Sequence, residues 1–234
     1  MSDDSVLSFE ELEAKFAKSY DDVFDERTFM DDDELGALLS KEEKEAKARW
    51  ADLHALQQEY PDARDFLTDV LQALLGVRPT EVQYDIMDFL QRGGDYRMIQ
   101  AQRGEAKTTI TGIYAVWRLI HDPTTRVLIF SAGGDMAEEI SNWVIQVIYG
   151  MDILSCLRPD TTKMGQRASV KRFDVHYHLK GAEKSPSVAC MGITANMQGR
   201  RADILGFKSR GQKSEGGYPS SLVKIPPIAP SRFL

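Results

Sequence analysis

Short apolar segments alternate with longer amphipathic segments through the middle of the chain, and this alternation limits the possible folds more than any other feature. Four short runs are predicted to be strands, at residues 96–102, 126–131, 168–175 and 188–194. Residues 108–120 and the segment that follows Gly133 repeat apolar side chains at helical spacing. Strands that alternate with helices of this length predict an α/β fold with a mainly parallel, doubly wound sheet.

An acidic extension precedes this region. Residues 1–60 hold 18 acidic and 7 basic side chains, and residues 41–60 are predicted to be helical. Further helices are predicted over 62–75 and from Thr80 onward. We therefore predict an acidic, partly helical extension over residues 1–60 and an α/β domain over residues 61–205.

The last segment, residues 206–234, differs in composition from the rest of the chain. Thirteen of its 29 residues are glycine, serine or proline, and it shows no apolar periodicity. A segment of this kind cannot bury enough apolar surface to offset the entropy lost on ordering. It is predicted to be a disordered tail.

Charge is unevenly distributed along the chain. The formal net charge is −7, yet residues 158–213 hold 12 basic and 4 acidic side chains. Such a segment fits either a surface that faces a polyanion or an ordinary solvated surface. Cys156 and Cys190 cannot form a disulfide framework, and no secretory signal is visible, so a reducing, cytoplasmic setting is expected. His176 and His178 are expected to share a strand face without a third metal ligand.

The segment between the first predicted strand and the next helix carries the most specific motif. Residues 100–109 read QAQRGEAKTT, which matches the lysine and threonine of the phosphate-loop pattern G-x-x-x-x-G-K-[ST] but has alanine at both glycine positions. A strand, a loop of small residues and a helix in this order direct backbone N–H groups at a phosphate. The alternative is an ordinary strand–turn–helix with a surface lysine.

The side chains of this loop have candidate roles if it holds a nucleoside triphosphate. Lys107 would reach the β- and γ-phosphates, Thr108 would hold Mg²⁺ through its hydroxyl, and Arg103 would place a cation near the γ-phosphate. The residues predicted to line the nucleotide are Gln102, Gly104, Glu105, Ala106, Lys107, Thr108 and Thr109.

Gln83, upstream of the loop, has two interpretations. Its amide could bind adenine, or it could close a helix capping box with Thr80, three residues earlier. The two interpretations are compatible, and both can hold at once.

Five segments in order resemble the large terminase subunit of tailed phages, also called DNA maturase B. They are Gln83, the loop at 100–109, RVLIFSA at 126–132, SPSVACMGIT at 185–194 and QGRRADIL at 198–205. The resemblance covers residues 60–205. It implies a P-loop ATPase that uses ATP and Mg²⁺ to pump double-stranded DNA into a prohead.

The resemblance also implies roles and partners. Gln83 would lie at the adenine, Lys107 and Thr108 at the phosphates and metal, and Arg103 would be an arginine finger within the same subunit. Arg201 would face the nucleotide or a neighbouring subunit, or it is an ordinary exposed arginine. The implied partners are the portal protein, the small terminase subunit and further copies in a ring. The implied location is the host cytoplasm, with transient residence at the prohead portal.

One departure from the family stands out. In the family, the strand that begins Arg-Ala-Asp-Ile continues into paired acids that hold Mg²⁺ and polarise the attacking water, whereas residues 206–210 here read GFKSR. We therefore expect an interrupted N-terminal ATPase portion, without the nuclease domain, that binds nucleotide weakly and hydrolyses it poorly or not at all. The alternatives are a helicase-like P-loop ATPase and a non-catalytic fragment that binds nucleotide, DNA or intact motor subunits.

Overall fold

A computed structural model of the chain describes residues 32–102, 104–131, 133–162, 165–192, 202–208 and 220–224. Contacts divide the chain into two units, residues 1–45 and 46–234. The described part of the first unit, residues 32–45, is the beginning of helix α1, which spans Asp32–Glu59. The elements below belong to the second unit. The domain boundaries predicted at 60/61 and 205/206 stay predictions.

Of the helices that follow α1, the first three lie close to the predicted positions, whereas the last two were not predicted. The helices after α1 are α2 (Ala63–Leu75), α3 (Glu81–Arg92), α4 (Lys107–His121), α5 (Gly134–Gly150), a short 3-10 helix (Asp152–Leu157) and α6 (Tyr177–Lys180). The Asp62 side chain caps α2 by accepting a hydrogen bond from the backbone N–H of Arg64. Gly76 ends α2 in the left-handed conformation, with φ of 67°. These two caps confirm the start and stop signals in the sequence.

A seven-stranded sheet links the described strands of this unit. The strands are β1 (Tyr96–Gln100), β2 (Val127–Ser131), β3 (Ala168–Ser169), β4 (Arg172–Phe173), β5 (Val188–Gly192), β6 (Ile204–Lys208) and β7 (Ser220–Lys224). Their order is β1-β7-β6-β2-β5-β4-β3. Only the β2–β5 and β2–β6 pairs are parallel, and the other described pairs are antiparallel. The α/β class is thus confirmed, whereas the prediction of a mainly parallel sheet is wrong.

Strand β7 is one reason for the mixed sheet. It lies between β1 and β6 and runs antiparallel to both, so β1 and β6 point in the same direction without pairing with each other. It also differs from the prediction for residues 206–234, whose composition favours no ordered element. Strand β7 forms backbone hydrogen bonds with both of its neighbouring strands, and these bonds hold the segment in the sheet. The apolar content of the segment alone would not predict a strand.

A tight hairpin is the other reason. The predicted strand at 168–175 is wrong, because β3 and β4 fold back on each other around the turn at 170–171. The hydroxyl of Ser169 closes this turn, accepting a hydrogen bond from the N–H of Arg172 and donating one to its carbonyl. The prediction that His176 and His178 share a strand face is also wrong, because neither histidine lies in a strand. His176 precedes α6, and its Nδ1 accepts the N–H of His178.

The core lies between the helices and one face of the sheet. A single cluster of buried apolar side chains joins α1 through α5 to alternate residues of β1, β2, β5 and β6, among them Ile99, Ile129 and Cys190. The residues of opposite phase on β2 and β5 form a separate small cluster. Cys190 of β5 is buried in this core.

Candidate functional site: the loop between β1 and α4

The loop at residues 101–106 leaves the sheet where β1 ends and enters α4 at Lys107. Arg97 and Ile99 face the core from β1, and Tyr96 and Met98 are exposed, so the strand is held from one side. Strands β2, β5 and β6 point the same way as β1, and the edge where all of them end is called the carboxyl edge below. Ligands of open α/β sheets bind at that edge.

The backbone turns sharply at Ala106, the residue before Lys107. Its φ of 52° and ψ of 28° place it in the left-handed region, and it is the only non-glycine residue with positive φ among the described residues. Gly104 also has positive φ, at 100°, and a side chain added there would meet nothing within 4 Å. Ala106 stands where the phosphate-loop pattern has its second glycine. The left-handed turn is what that glycine position requires.

Helix α4 begins immediately after this turn, and no side chain caps its first turn. The first four N–H groups of a helix have no partner within the helix, and the helix dipole makes this end positive. The Ala106 carbonyl accepts the N–H of Ile110, which sets the helix register from the turn onward. A strand, a left-handed turn and an uncapped helix start together offer N–H donors to an anion.

Lys107 folds back over its own loop. Its Nζ donates to the carbonyl of Ala101 at 2.5 Å and to that of Gln102 at 2.8 Å. Partial burial lowers the pKa of Lys107, and the nearby Glu105 carboxylate opposes that effect. The ammonium thus occupies the middle of the loop, bonded to backbone atoms that an incoming phosphate could replace.

The other predicted residues surround this lysine. Gln102 and Gly104 are exposed, while Glu105, Ala106, Thr108 and Thr109 are half-buried. The carbonyl of Thr109 accepts a hydrogen bond from Trp143 Nε1 of α5 at 3.1 Å, which ties the helix start to its neighbour. Arg103 lies outside the described residues, so its predicted role stays a prediction, as does that of Arg201.

Gln83 forms the capping box. Its Oε1 accepts the N–H of Thr80 at 3.2 Å, and its own N–H donates to the Thr80 hydroxyl at 3.3 Å. The capping interpretation is therefore confirmed. The adenine contact stays a prediction.

The described strand ends at the carboxyl edge supply no carboxylate for a magnesium ion. Strands β1, β2, β5 and β6 end at the carboxyl edge in Gln100, Ser131, Gly192 and Lys208. No acid stands in this row. No group of three or more His, Cys, Asp or Glu side chains suitable for a metal occurs in the part of the chain that the structure describes. Mg²⁺ in proteins is bound by one or two carboxylates together with substrate phosphates and waters, so the predicted Mg²⁺ contact of Thr108 stays a prediction.

Asp203, the acid of the Arg-Ala-Asp-Ile segment, lies at the opposite edge of the sheet. The Arg126 guanidinium donates to both of its carboxylate oxygens, each at 2.8 Å, and the N–H of Arg126 adds a third bond. These hydrogen bonds hold the pKa of Asp203 below its usual value. Asp203 thus joins the start of β6 to the start of β2 and is remote from the loop.

Two buried charged side chains make contacts that were not predicted from the sequence. Asp174 is buried and binds Lys180 Nζ at 2.6 Å, and it also accepts the N–H groups of Arg167 and Ser187. On β1, the buried Arg97 guanidinium donates to carbonyls at the end of α3, including that of Gly93 at 2.5 Å. Arg97 occupies a position of β1 whose side chain faces the core. A charged residue at such a position is the sequence signal that could have predicted this buried contact. Both contacts hold elements together and lie away from the loop.

The hairpin of β3 and β4 carries exposed cations. Lys171 and Arg172 are exposed, and Lys171 Nζ lies 3.4 Å from the Glu138 carboxylate. Lys184, in the segment before β5, is exposed as well. These three side chains are exposed cations within the basic segment predicted between residues 158 and 213. In the described ranges, no helix is long and apolar enough to span a bilayer.

The fold and the loop together define an α/β protein with a strand–turn–helix unit at the carboxyl edge of its sheet. Over 141 residues the chain is 38% identical to the terminase large subunit of Enterobacteria phage T3. The aligned region is 60% of this chain and 23% of the relative, so the chain spans less than a quarter of the protein it matches. No protein-family profile matches the chain. The resemblance to terminase large subunits is confirmed by this match.

Proposed function

We propose that the chain is the nucleotide-binding part of a terminase large subunit and that the loop at 101–109 holds the triphosphate of ATP. The confirmed resemblance supports a role in phage DNA packaging. The P-loop architecture, the ATP site and the coupling to DNA translocation are our proposal.

One observation carries the proposal. Ala106 adopts the left-handed turn that the phosphate-loop pattern assigns to glycine, and Lys107 follows it as the first residue of α4 with its ammonium over the loop. A non-glycine residue in this conformation costs about 1–2 kcal/mol. Such strain is retained where the local backbone shape matters.

The roles follow from this arrangement. Backbone N–H groups of residues 104–109 would bind the phosphate oxygens, and Lys107 would leave its two carbonyl partners to bind the β- and γ-phosphates. Arg103 would contribute a second cation near the γ-phosphate, and Gln83 would contact the adenine. The described strand ends at the carboxyl edge carry no carboxylate to activate water, so we propose nucleotide binding with little or no hydrolysis.

Partners belong to the proposal as well. A packaging role would bring double-stranded DNA, a portal protein, a small terminase subunit and further copies of the chain into contact with it. Such a protein would work in the host cytoplasm and at the prohead.

The proposal is tested by titrating a fluorescent ATP analogue into the full chain and measuring anisotropy. We expect saturable binding that Lys107→Ala weakens at least tenfold, because the ammonium is the main fixed cation described at the loop. Lys184→Ala removes an exposed lysine elsewhere and should leave the affinity unchanged. Absence of binding, or equal affinity in the two variants, would contradict the proposal.

A second function is favoured by the exposed cations of the hairpin. We propose that Lys171 and Arg172 contact the phosphates of duplex DNA. Their double reversal to glutamate should weaken binding of a labelled duplex and lower the salt slope by about two, one for each lost phosphate contact. The pair Lys44→Glu and Lys47→Glu, on α1, has the same charge change and is the matched control. An unchanged slope would exclude this surface.

A further inference from the structure

We infer that Trp143 of α5 is a positioning residue of the proposed nucleotide site. Its indole N–H holds the first turn of α4 in the orientation in which the backbone N–H groups of that turn meet the phosphates. The inference rests on the proposed function and deepens it, because Trp143 belongs to a neighbouring helix and acts on the nucleotide through α4.

The indole of Trp143 lies along one face of the beginning of α4. Its Nε1 donates to the Thr109 carbonyl at 3.1 Å, and a Cβ added at Gly112 would lie 2.7 Å from its Cδ1. Thr109 and Gly112 are three residues apart and therefore share a helix face. Because Gly112 has no side chain, the ring comes close enough to α4 to reach the Thr109 carbonyl, one turn nearer to the loop.

The carbonyl that Trp143 binds belongs to the turn that the proposed site uses. The first N–H groups of a helix have no partner within it, and in α4 they precede Ile110, whose N–H already bonds the Ala106 carbonyl. The direction of these free N–H groups follows the orientation of the first turn. A hydrogen bond from a separate helix to Thr109 limits how far this turn can tilt away from α5.

Helix α5 gives Trp143 a fixed base for this contact. Ile140 and Val144, on either side of Trp143 in the sequence, are buried in the core. The hydroxyl of the buried Ser141 donates to the Val170 carbonyl at 2.5 Å, which holds α5 to the β3–β4 hairpin as well. A group that orients a binding site must itself be held in place by packing and hydrogen bonds. Trp143, on an anchored helix and bonded to α4, meets this condition.

The first test measures the affinity of the full chain for the fluorescent ATP analogue in Trp143→Phe, which keeps an aromatic ring and removes the N–H. We expect the Kd of the folded chain to rise about three- to tenfold, the range that corresponds to one neutral hydrogen bond. Trp50→Phe is the matched control, because Trp50 Nε1 also donates to a backbone carbonyl, that of His178, at 3.2 Å. This control should keep the affinity of the unmodified chain.

A spectroscopic measurement separates positioning from packing alone. Unlabelled ATP should change the intrinsic tryptophan emission, because the Thr109 carbonyl that Trp143 binds lies in the turn that the phosphates contact. We expect this change in the unmodified chain and in Trp50→Phe, and we expect none in Trp143→Phe. Trp117, the third tryptophan, is buried in the core with its N–H on the Tyr60 carbonyl.

The outcomes separate the inference from the proposed site. An unchanged Kd in Trp143→Phe, or an emission change that persists in that variant, would overturn the positioning role and leave the nucleotide site standing. Absence of binding in the unmodified chain and in both variants would overturn the site, and the inference with it. If Trp143→Phe does not fold, Trp50→Phe decides, since an emission change on ATP addition there supports the inference and its absence overturns it.

Discussion

At the scale of single residues, Ala106 is the most informative position of the loop. The sequence pattern predicted where the loop lies, but not that Ala106 adopts the left-handed conformation. That Lys107 would bond the carbonyls of Ala101 and Gln102 could not be predicted, because such contacts depend on the closed shape of the loop.

The left-handed conformation of Ala106 leads to a stability prediction. Ala106→Gly should raise the free energy of unfolding by up to about 1 kcal/mol, because glycine adopts positive φ without the steric cost that alanine meets. Urea denaturation monitored by fluorescence measures the change. Ala48→Gly, in the exposed middle of α1, should instead lower stability by about 1 kcal/mol. Equal losses in the two variants would show that Ala106 is not strained.

Asp62 leads to a prediction about pH. It caps α2 and accepts hydrogen bonds from Arg64 and Arg92, and the hydrogen bonds from Arg64 are the main cause that lowers the Asp62 pKa to about 2. Since the pKa is lowered on folding, the contribution is complete above the ordinary value of 3.8 and is lost as the pH falls toward 2. Asp62→Asn keeps the cap but not the charge.

We therefore expect Asp62→Asn to cost about 1–2 kcal/mol at pH 7, a range that allows for the solvent exposure of both arginines. The difference from the unmodified chain should shrink between pH 4 and pH 2. Urea unfolding at several pH values measures it. Asp95→Asn, in the turn before β1, carries the same change and should show no such trend. A difference in unfolding free energy between Asp62→Asn and the unmodified chain that stays constant with pH would contradict the lowered pKa of Asp62.

At the scale of elements, the agreement between sequence and structure depends on whether a signal is local. The capping box of Thr80 and Gln83 was predicted because it is set by residues that are close in sequence. The hairpin at 168–173 was not, because its turn depends on Ser169 and on pairing with β5. Short runs of apolar residues do not reveal such a fold-back.

Helices α4 and α5 meet at Gly112, and this contact yields a prediction with an informative sign. A Cβ at Gly112 would lie 2.7 Å from Cδ1 of Trp143, whose Nε1 is bonded to Thr109. Helix propensity alone favours Gly112→Ala by about 1 kcal/mol, whereas overpacking costs about 1–3 kcal/mol. We expect a net loss of stability in thermal and urea unfolding.

Two variants control this experiment. Gly94→Ala lies where a new Cβ meets nothing within 4 Å and should be close to neutral. Combining Gly112→Ala with Trp143→Phe should recover part of the loss, because the smaller ring relieves the clash. A stabilised Gly112→Ala would mean that the two helices can separate without cost.

At the scale of the whole molecule, the sheet order could not be predicted. The alternation of strands and helices predicted the α/β class correctly, but the prediction of a mainly parallel sheet was wrong. The insertion of β7 between β1 and β6 joins residues more than a hundred positions apart, and the composition of 206–234 contains no signal for it. Long-range pairing of this kind depends on the whole fold.

Strand β7 is the only described strand that pairs with β1, so its loss should affect the loop's supporting strand first. Deleting residues 209–234 should abolish the hydrogen-exchange protection of the amides of β1 while leaving α4 and β2 protected. Mass spectrometry of exchanged peptides measures this. Deleting only 225–234 keeps β7 and should change little. Retained protection of Tyr96–Gln100 in the longer deletion would show that β1 is held by its buried face alone.

The position of β7 also sets an order of events during synthesis. Strand β1 and the loop are made early, yet the neighbour that completes their backbone pairing is translated about 120 residues later. Until then β1 has neither of its edges paired, and Tyr96 and Met98 are exposed on its face. A nascent chain would therefore complete the strand that supports the loop last, and ribosome-bound intermediates should need protection from aggregation through the unpaired edges.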